Sequence, residues 1–373
     1  MGDLRSDARR QTKGFSQGNT EAMNEERCIF VLCINHPIST IKNLNMNRTH
    51  VAVIAGGFSG EYAVSLRSAA GLLSWIDRSL FDPYLVVIER TGWFVQIEGQ
   101  DPIPVDKCDF SFMLGGEHIK IDYALITVHG TPGENGLLQG YLDLVGVPYN
   151  TGGVLTEALT FNKYYCNHYL STFPQLRVAD SVRLKRGEAQ PSTEELVARL
   201  GLPLFAKPNA GGSSVATSKV ESLEALDKAV ALAFDECDEV LLERFIAGTE
   251  VTCGCYRIGG TITALPVTEV VPKNSFFDFE AKYNGAVEEI TPARISPELT
   301  ALIQELTREI YQHVDARGII RVDYIIEADG RPTLLEVNTT PGMTPTSFIP
   351  QQVRAAGLEM PQVLTALIEE GLR

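Results

Sequence analysis

The densest chemistry in the chain lies in two strand-like stretches near its C-terminal end, "GIIRVDYIIE" and "TLLEVN", joined through the turn sequence "ADGR". Together they read as a hairpin. Strand alternation puts Arg321 and Asp323 on one face, with Val322, Tyr324 and Ile326 on the other. On the partner strand Glu336 and Asn338 share a face, while Leu335 and Val337 take the opposite one. Two carboxylates, an amide and a guanidinium therefore converge. Their oxygens are hard ligands, suited to magnesium bound together with nucleotide phosphates. A solvated face laced with salt bridges would use the same residues, but the irregular "NTTPGMTPTS" that follows reads as a binding loop.

Two other stretches add to this. In "FAKPNAGGSSVATSK", Lys207 ends an apolar strand, where a buried ammonium needs an anionic partner. The glycines and serines after it could cradle phosphates with backbone donors and hydroxyls, or simply form a hairpin turn. No G-x-x-x-x-G-K-[ST] loop occurs. In "LLERFIAGTE" a strand ends at Glu243 and the chain continues to Glu250. That segment could serve an adenine and a ribose, or be a surface strand end. "VAVIAGGFSGEYAVSLRSA" has the strand–glycine–helix layout of dinucleotide folds. However, Gly56, Gly57 and Gly60 lack G-x-G-x-x-G spacing, and Glu89 comes about ten residues late.

The elements that must position these groups follow from hydrophobic pattern. From 49 to 150, strands ("VAVIAG", "PYLVVI", "YALITV", "VPY") alternate with helices ("SLRSAAGLLSWI", "GLLQGYLDLVG"), as in a small open α/β domain. A helical stretch, "TEALTFNKYYCNHYLSTF", opens a central region, 151–236, with strands at "DSVRL", "LPLFAKP" and "ATSKV" and a helix over 221–235. Residues 237–373 hold "EVLLERF", "EVTCGCYRI", "ITALPVTEVV", the hairpin and a long helix over 298–314. The expected class is α/β, with α+β character in the C-terminal part. Residues 1–48 lack sustained periodicity and read as a disordered tail or an over-long start assignment.

Composition narrows the function classes. The chain has 373 residues, 44% hydrophobic and 21% charged, as in soluble globular proteins. A net charge of −15 argues against nucleic acid or an anionic membrane as the main partner. No run reaches the roughly 18 apolar residues of a membrane span. Seven cysteines without metal-like spacing fit a reducing compartment, and Cys253 and Cys255 read as buried thiols.

In order along the chain, "HGTPGENGLLQG", "KPNAGGSSVATSK", "FFDFEAKYNG", "RVDYIIE" and "LLEVNTTPGMTPTSFIP" resemble the ATP-grasp ligases, and among them the D-alanine–D-alanine ligases. The resemblance runs from about residue 50 to the C-terminus. It implies an ATP-grasp fold preceded by the small α/β domain. It also implies ligation through an acylphosphate of the first D-alanine, which the amine of the second attacks. Asp323, Glu336 and Asn338 would then hold two Mg²⁺ (or Mn²⁺). Lys163 and Lys207 would bind ATP phosphates beneath a Ser213–Ser214 turn, and Glu243, Arg244, Phe245 and Ile246 would line the adenine, with Glu250 on the ribose. Arg321 would stabilise the acylphosphate and the tetrahedral oxyanion, where losing one donor commonly costs about 10²–10³ in rate. Ser347 and the backbone around Gly342 would fix the second substrate's carboxylate. Lys282 and Tyr283 would ride on a loop that closes over the site, and Glu61, His129 and Glu134 would approach from the N-terminal side.

One departure stands out. Many relatives carry a glutamate where this chain has Ala63, holding the first substrate's ammonium and anchoring a Glu–Ser–Tyr triad; Ser213 and Tyr283 are kept. Glu61 or Glu134 is expected to take over the ammonium. Tyr283, where ester-forming relatives carry histidine, favours an amine as second substrate. The resemblance further implies bacterial cytoplasm, peptidoglycan precursor synthesis and a homodimer. The runner-up product is D-Ala–D-Ser or D-Ala–D-lactate. A degenerate ATP sensor would lack Asp323, Glu336 or Arg321, and all three are present.

Overall fold

The computed structural model describes residues 48–212, 215–272 and 287–373. The expected tail falls outside them, apart from Arg48, and so do Ser213, Ser214, Lys282 and Tyr283.

The N-terminal sheet contains β1 (Thr49–Gly56), β2 (Phe81–Glu89), β3 (Gly92–Gln96), β4 (Ile103–Pro104) and β7 (Tyr123–Ile126), in the order β4-β3-β2-β1-β7. A hairpin of β5 (Ser111–Leu114) and β6 (Glu117–Lys120) stands beside it. β1 runs parallel to β2 and β7, whereas β3 turns back antiparallel on β2. Val51 through Ala55 are fully buried, as a central parallel strand covered on both faces requires. "VPY" forms no strand; Tyr149 makes a single parallel bridge to Ala124. Helix α1 (Tyr62–Trp75) begins three residues ahead of its expected stretch, and α2 (Leu137–Val145) falls within its own.

The long helical stretch is two helices, α3 (Val154–Phe161) and α4 (Lys163–Leu170). Asn162 breaks it: its backbone is extended, and its side chain caps α4 by accepting from the Tyr165 amide at 3.1 Å. The central sheet follows, with β8 (Ser181–Lys185), β9 (Leu204–Pro208), β10 (Ser218–Val220) and β11 (Glu239–Arg244) in the order β10-β9-β11-β8. Against it pack α5 (Thr193–Leu200) and α6 (Leu223–Glu236). The sequence reading had no element at α5, although Ser192 and Glu195 form a full capping box.

The third sheet contains β12 (Thr249–Ile258), β13 (Thr261–Ala264), β14 (Thr268–Pro272), β15 (Val287–Ile290), β16 (Ile319–Ile326) and β17 (Pro332–Asn338). β13 and β14 split the single strand expected at "ITALPVTEVV". Helix α7 (Pro297–His313) lies on the sheet's core face, burying Ile303, Leu306 and Ile310 against Cys253, Cys255, Val322 and Tyr324. Both cysteines are buried free thiols. Two further helices, α8 (Phe348–Ala355) and α9 (Met360–Gly371), close the chain. The hairpin corrects one detail: a β-bulge at Asp323/Tyr324 pairs Tyr324 with Leu334. Leu334, not Leu335, therefore joins the core beside Val337.

Candidate active site

β16 and β17 build the centre. Their register sets Arg321 opposite Asn338 and Asp323 opposite Glu336, so the four polar groups share the face that alternation predicts. Asp323 is almost fully buried and accepts four hydrogen bonds. Arg321 grips it with two hydrogen bonds, Nε to Oδ1 at 2.9 Å and a terminal nitrogen to Oδ2 at 2.8 Å. Thr252, directly across from it on β12, donates to Oδ1 at 2.6 Å. Asn338 donates to Oδ2 at 3.1 Å and approaches Glu336 at 3.5 Å. The Asn338 amide nitrogen thus stands between two carboxylates, where a cation would stand. Rotating the amide would present its oxygen instead.

Burial works against the Arg321 charge, yet Asp323, then Glu336 and Glu250, more than offset it and hold the guanidinium above its ordinary pKa. The guanidinium carbon also lies 5.3 Å from the centroid of the Phe348 ring.

Lys163, the first residue of α4, donates to the Gly211 carbonyl at 2.6 Å and lies 4.0 Å from Glu336. Gly212 lies against the Glu61 carboxylate, and a Cβ there would fall 2.6 Å from Oε2. The glycine turn thus touches both groups. Lys207 has the anionic partner its burial demands, Glu243, at 2.6 Å. Glu243 also accepts from Asn167 at 3.3 Å. Its carboxylate is turned inward, so of the four expected adenine residues it is the one facing the lysine rather than the surface. Arg244 is exposed, and Phe245 and Ile246 are half-buried.

The N-terminal loops supply Glu61, His129 and Glu134. Gly56, the last residue of β1, and Gly57 after it have φ of 94° and 103°, and a Cβ on either would collide with Ile88 or Val128. The close packing of this loop requires the glycine pair. Glu134 accepts from the Gly130 amide at 2.6 Å. Burial, and next the charge of Glu61, push its pKa up to about 8. Burial depresses the His129 pKa, while Glu61 opposes the shift. Ser68 contacts His129 Nε2 at 3.2 Å, and its hydroxyl also accepts from the Met343 amide at 3.2 Å. Ser347 ties its own loop, accepting from the Thr344 amide at 3.0 Å, and a Cβ on Gly342 would meet its Oγ at 3.0 Å.

The described residues thus bring together Arg321, Asp323, Glu336, Asn338 and Lys163, with Glu61 near the glycine turn. Lys207 and Glu243 form a separate buried pair. The sequence reading missed Thr252, Ser68 and Glu157. Only strand pairing reveals Thr252, and nothing in "VLTEALTF" marks the face on which Glu157 lies. A separate cleft of about 500 Å³, lined by Tyr123, Tyr149, Arg257, Tyr311, Arg317 and Glu370, contains none of these residues.

Comparison with known proteins adds the following. Residues 50–152 match the family described as D-ala D-ala ligase N-terminus, and residues 173–369 match D-ala D-ala ligase C-terminus. A D-alanine–D-alanine ligase of Porphyromonas gingivalis strain W83 is 64% identical over 327 residues, covering 88% of this chain and 99% of the relative. Among solved structures, the VanG D-Ala:D-Ser ligase of Enterococcus faecalis matches with a TM-score of 0.77 and 32% identity, covering 87% of this chain and 99% of that one. The D-alanine–D-alanine ligase of Bacillus anthracis complexed with ATP matches with a TM-score of 0.69 and 26% identity, covering 87% and 98%.

Proposed function

The chain belongs to the D-alanine–D-alanine ligase family, and from that premise we propose how its residues divide the work. The enzyme joins two D-alanines into D-alanyl-D-alanine at the expense of ATP, for cell-wall synthesis. Its fold is the ATP-grasp fold behind a small α/β domain. We assign the domains to 49–150, 151–236 and 237–373.

The observation that carries the residue assignment is the convergence of Asp323, Glu336, Asn338 and Arg321 on one hairpin face with Lys163 at its edge. The donor set suits magnesium: two carboxylates and an amide leave room for phosphate oxygens and water, as this ion prefers. Bound there, magnesium would neutralise charge on the phosphates during in-line transfer.

The first D-alanine's carboxylate attacks the γ-phosphorus, the bond to the β-phosphate oxygen breaks, and ADP leaves. The second D-alanine's amine then attacks the acylphosphate carbonyl, loses a proton and expels phosphate. Arg321, oriented by Asp323 and Phe348, turns its remaining N–H donors to the acylphosphate and the oxyanion. Lys163 and Lys207 hold phosphates, with Ser213, Ser214 and Lys282 over them. Glu243 through Ile246 border the adenine, and Glu250 takes the ribose. Ser347 and the Gly342 backbone receive the second carboxylate, and Tyr283 covers the substrates. Glu61 or Glu134 takes over from the missing glutamate at Ala63 in holding the first ammonium. His129, kept neutral by burial, borders that substrate.

No described helix is long and apolar enough to cross a membrane. We assign the enzyme to the cytoplasm and to a homodimer. Leu137 and Leu144 on α2 and Leu155 on α3, each more than 60% exposed, give apolar surface for a second copy.

Purified protein with ATP, Mg²⁺ and D-alanine should give D-Ala–D-Ala and phosphate in equal amounts. Added D-serine or D-lactate should leave D-Ala–D-Ala as the main product by mass spectrometry. A mixed product as the main species would overturn the specificity assignment.

A further inference from the structure

Glu157 is fully buried in the first turn of α3. Other groups also hold this helix in place. Thr156 already pins α3 to the end of α7, donating to the Val314 carbonyl at 2.8 Å, and the Glu157 amide bonds Gly153 within the helix. An apolar side chain of similar volume would pack there without the cost of a buried acid. Burial raises the Glu157 pKa well above the carboxylate range, with Thr339 opposing and Glu134 reinforcing the shift.

The carboxyl takes a hydrogen bond from the Gly152 backbone just ahead of the helix, and it makes one contact across the structure: the Thr339 hydroxyl donates to Oε2 at 2.5 Å. Thr339 immediately follows Asn338 and begins the loop after β17. The same loop is tied again at Thr340, whose backbone bonds His129, at Met343 to Ser68, and at Thr344 to Ser347. Glu157 is the first of these ties and the one next to the hairpin centre.

Resting on the ligase reading above, we propose that Glu157 is a positioning residue. Through Thr339 it fixes the turn after β17, and so sets where Asn338 and the second-substrate loop stand. Among the described residues no side chain assigned to ATP or substrate is hydrogen-bonded to it, so its effect passes through placement.

Steady-state kinetics of Glu157→Leu, Glu157→Gln, Thr339→Val and Thr339→Ser test this. Glu157→Leu and Thr339→Val are expected to raise KM for the second D-alanine and the Mg²⁺ half-saturation by about tenfold, since small misplacements are costly. KM for ATP should stay within about twofold. Glu157→Gln keeps an acceptor for Thr339 and Thr339→Ser keeps the hydroxyl, so both should recover most of the loss. The double variant Glu157→Leu/Thr339→Val should be no worse than either single one. If Glu157→Leu fails to fold, the Thr339 pair carries the same test. Lowered melting temperature with both KM values unchanged, or glutamine faring no better than leucine, overturns the proposal. Wild-type protein that makes no dipeptide overturns the ligase reading, and this one with it.

Discussion

Glu134 departs clearly from the ordinary behaviour of a carboxylic acid. Its pKa is raised to about 8 in the folded protein by burial and by Glu61, whereas in the unfolded chain it ionises at about 4.3. Between those values the folded state holds the extra proton, so this group's contribution makes stability fall as pH rises from about 4.3 to about 8. Glu134→Gln cannot ionise and should lose that fall, seen as a smaller drop in urea midpoint between pH 5 and pH 8.5. An unchanged drop would mean that Glu134 ionises normally. If Glu61 or Glu134 holds the first ammonium, at least one of Glu61→Gln and Glu134→Gln should also raise KM for the first D-alanine, and an unchanged KM in both variants would refute that role. At this scale sequence was informative where period two applied: Arg321, Asp323, Glu336 and Asn338 share a face as alternation requires. It was uninformative for Glu157, because a glutamate in an amphipathic helix gives no sign of which face tertiary packing will bury.

The break between α3 and α4 does the positioning at the scale of elements. Asn162 accepts from the Tyr165 amide, capping α4, and from the Asn209 side chain at 2.9 Å. Lys163 follows it directly and so enters the site from a helix N-terminus, where the dipole favours phosphate. Asn162→Ala should cost about 1 kcal/mol of stability, the usual worth of such a cap. It should also raise KM for ATP, since Lys163 loses its fixed starting point. A urea midpoint lowered with KM for ATP unchanged would mean that the cap matters only to the fold. "TEALTFNKYYCNHYLSTF" hid this break because both helices share one apolar pattern, and an internal asparagine is a weak stop signal without its partner Asn209. The bulge at Asp323/Tyr324 was hidden for a similar reason: it shifts the register by one residue and leaves a sequence that still alternates.

Across the described residues, three larger sheets and one two-stranded sheet follow the chain in the order the hydrophobic pattern suggested, and the strand and helix types were largely legible. The antiparallel edge of the first sheet was not, since β3 and β4 are short, and neither was the pairing that brings Thr252 to Asp323. A homodimer should sediment at twice the chain mass, and Leu144→Asp, placing a charge on the most exposed of the apolar α2 and α3 side chains, should shift it towards monomer. Wild-type protein sedimenting as a monomer would contradict the assignment. The reaction itself is tested most directly by isotope transfer. D-alanine labelled with ¹⁸O in its carboxylate would be turned over with ATP, and the released phosphate examined by mass spectrometry. An acylphosphate requires one labelled oxygen to leave with each phosphate that accompanies a dipeptide. Unlabelled phosphate would mean that water, not the D-alanine carboxylate, attacks the γ-phosphorus, and the ligase mechanism assigned to this site would be wrong.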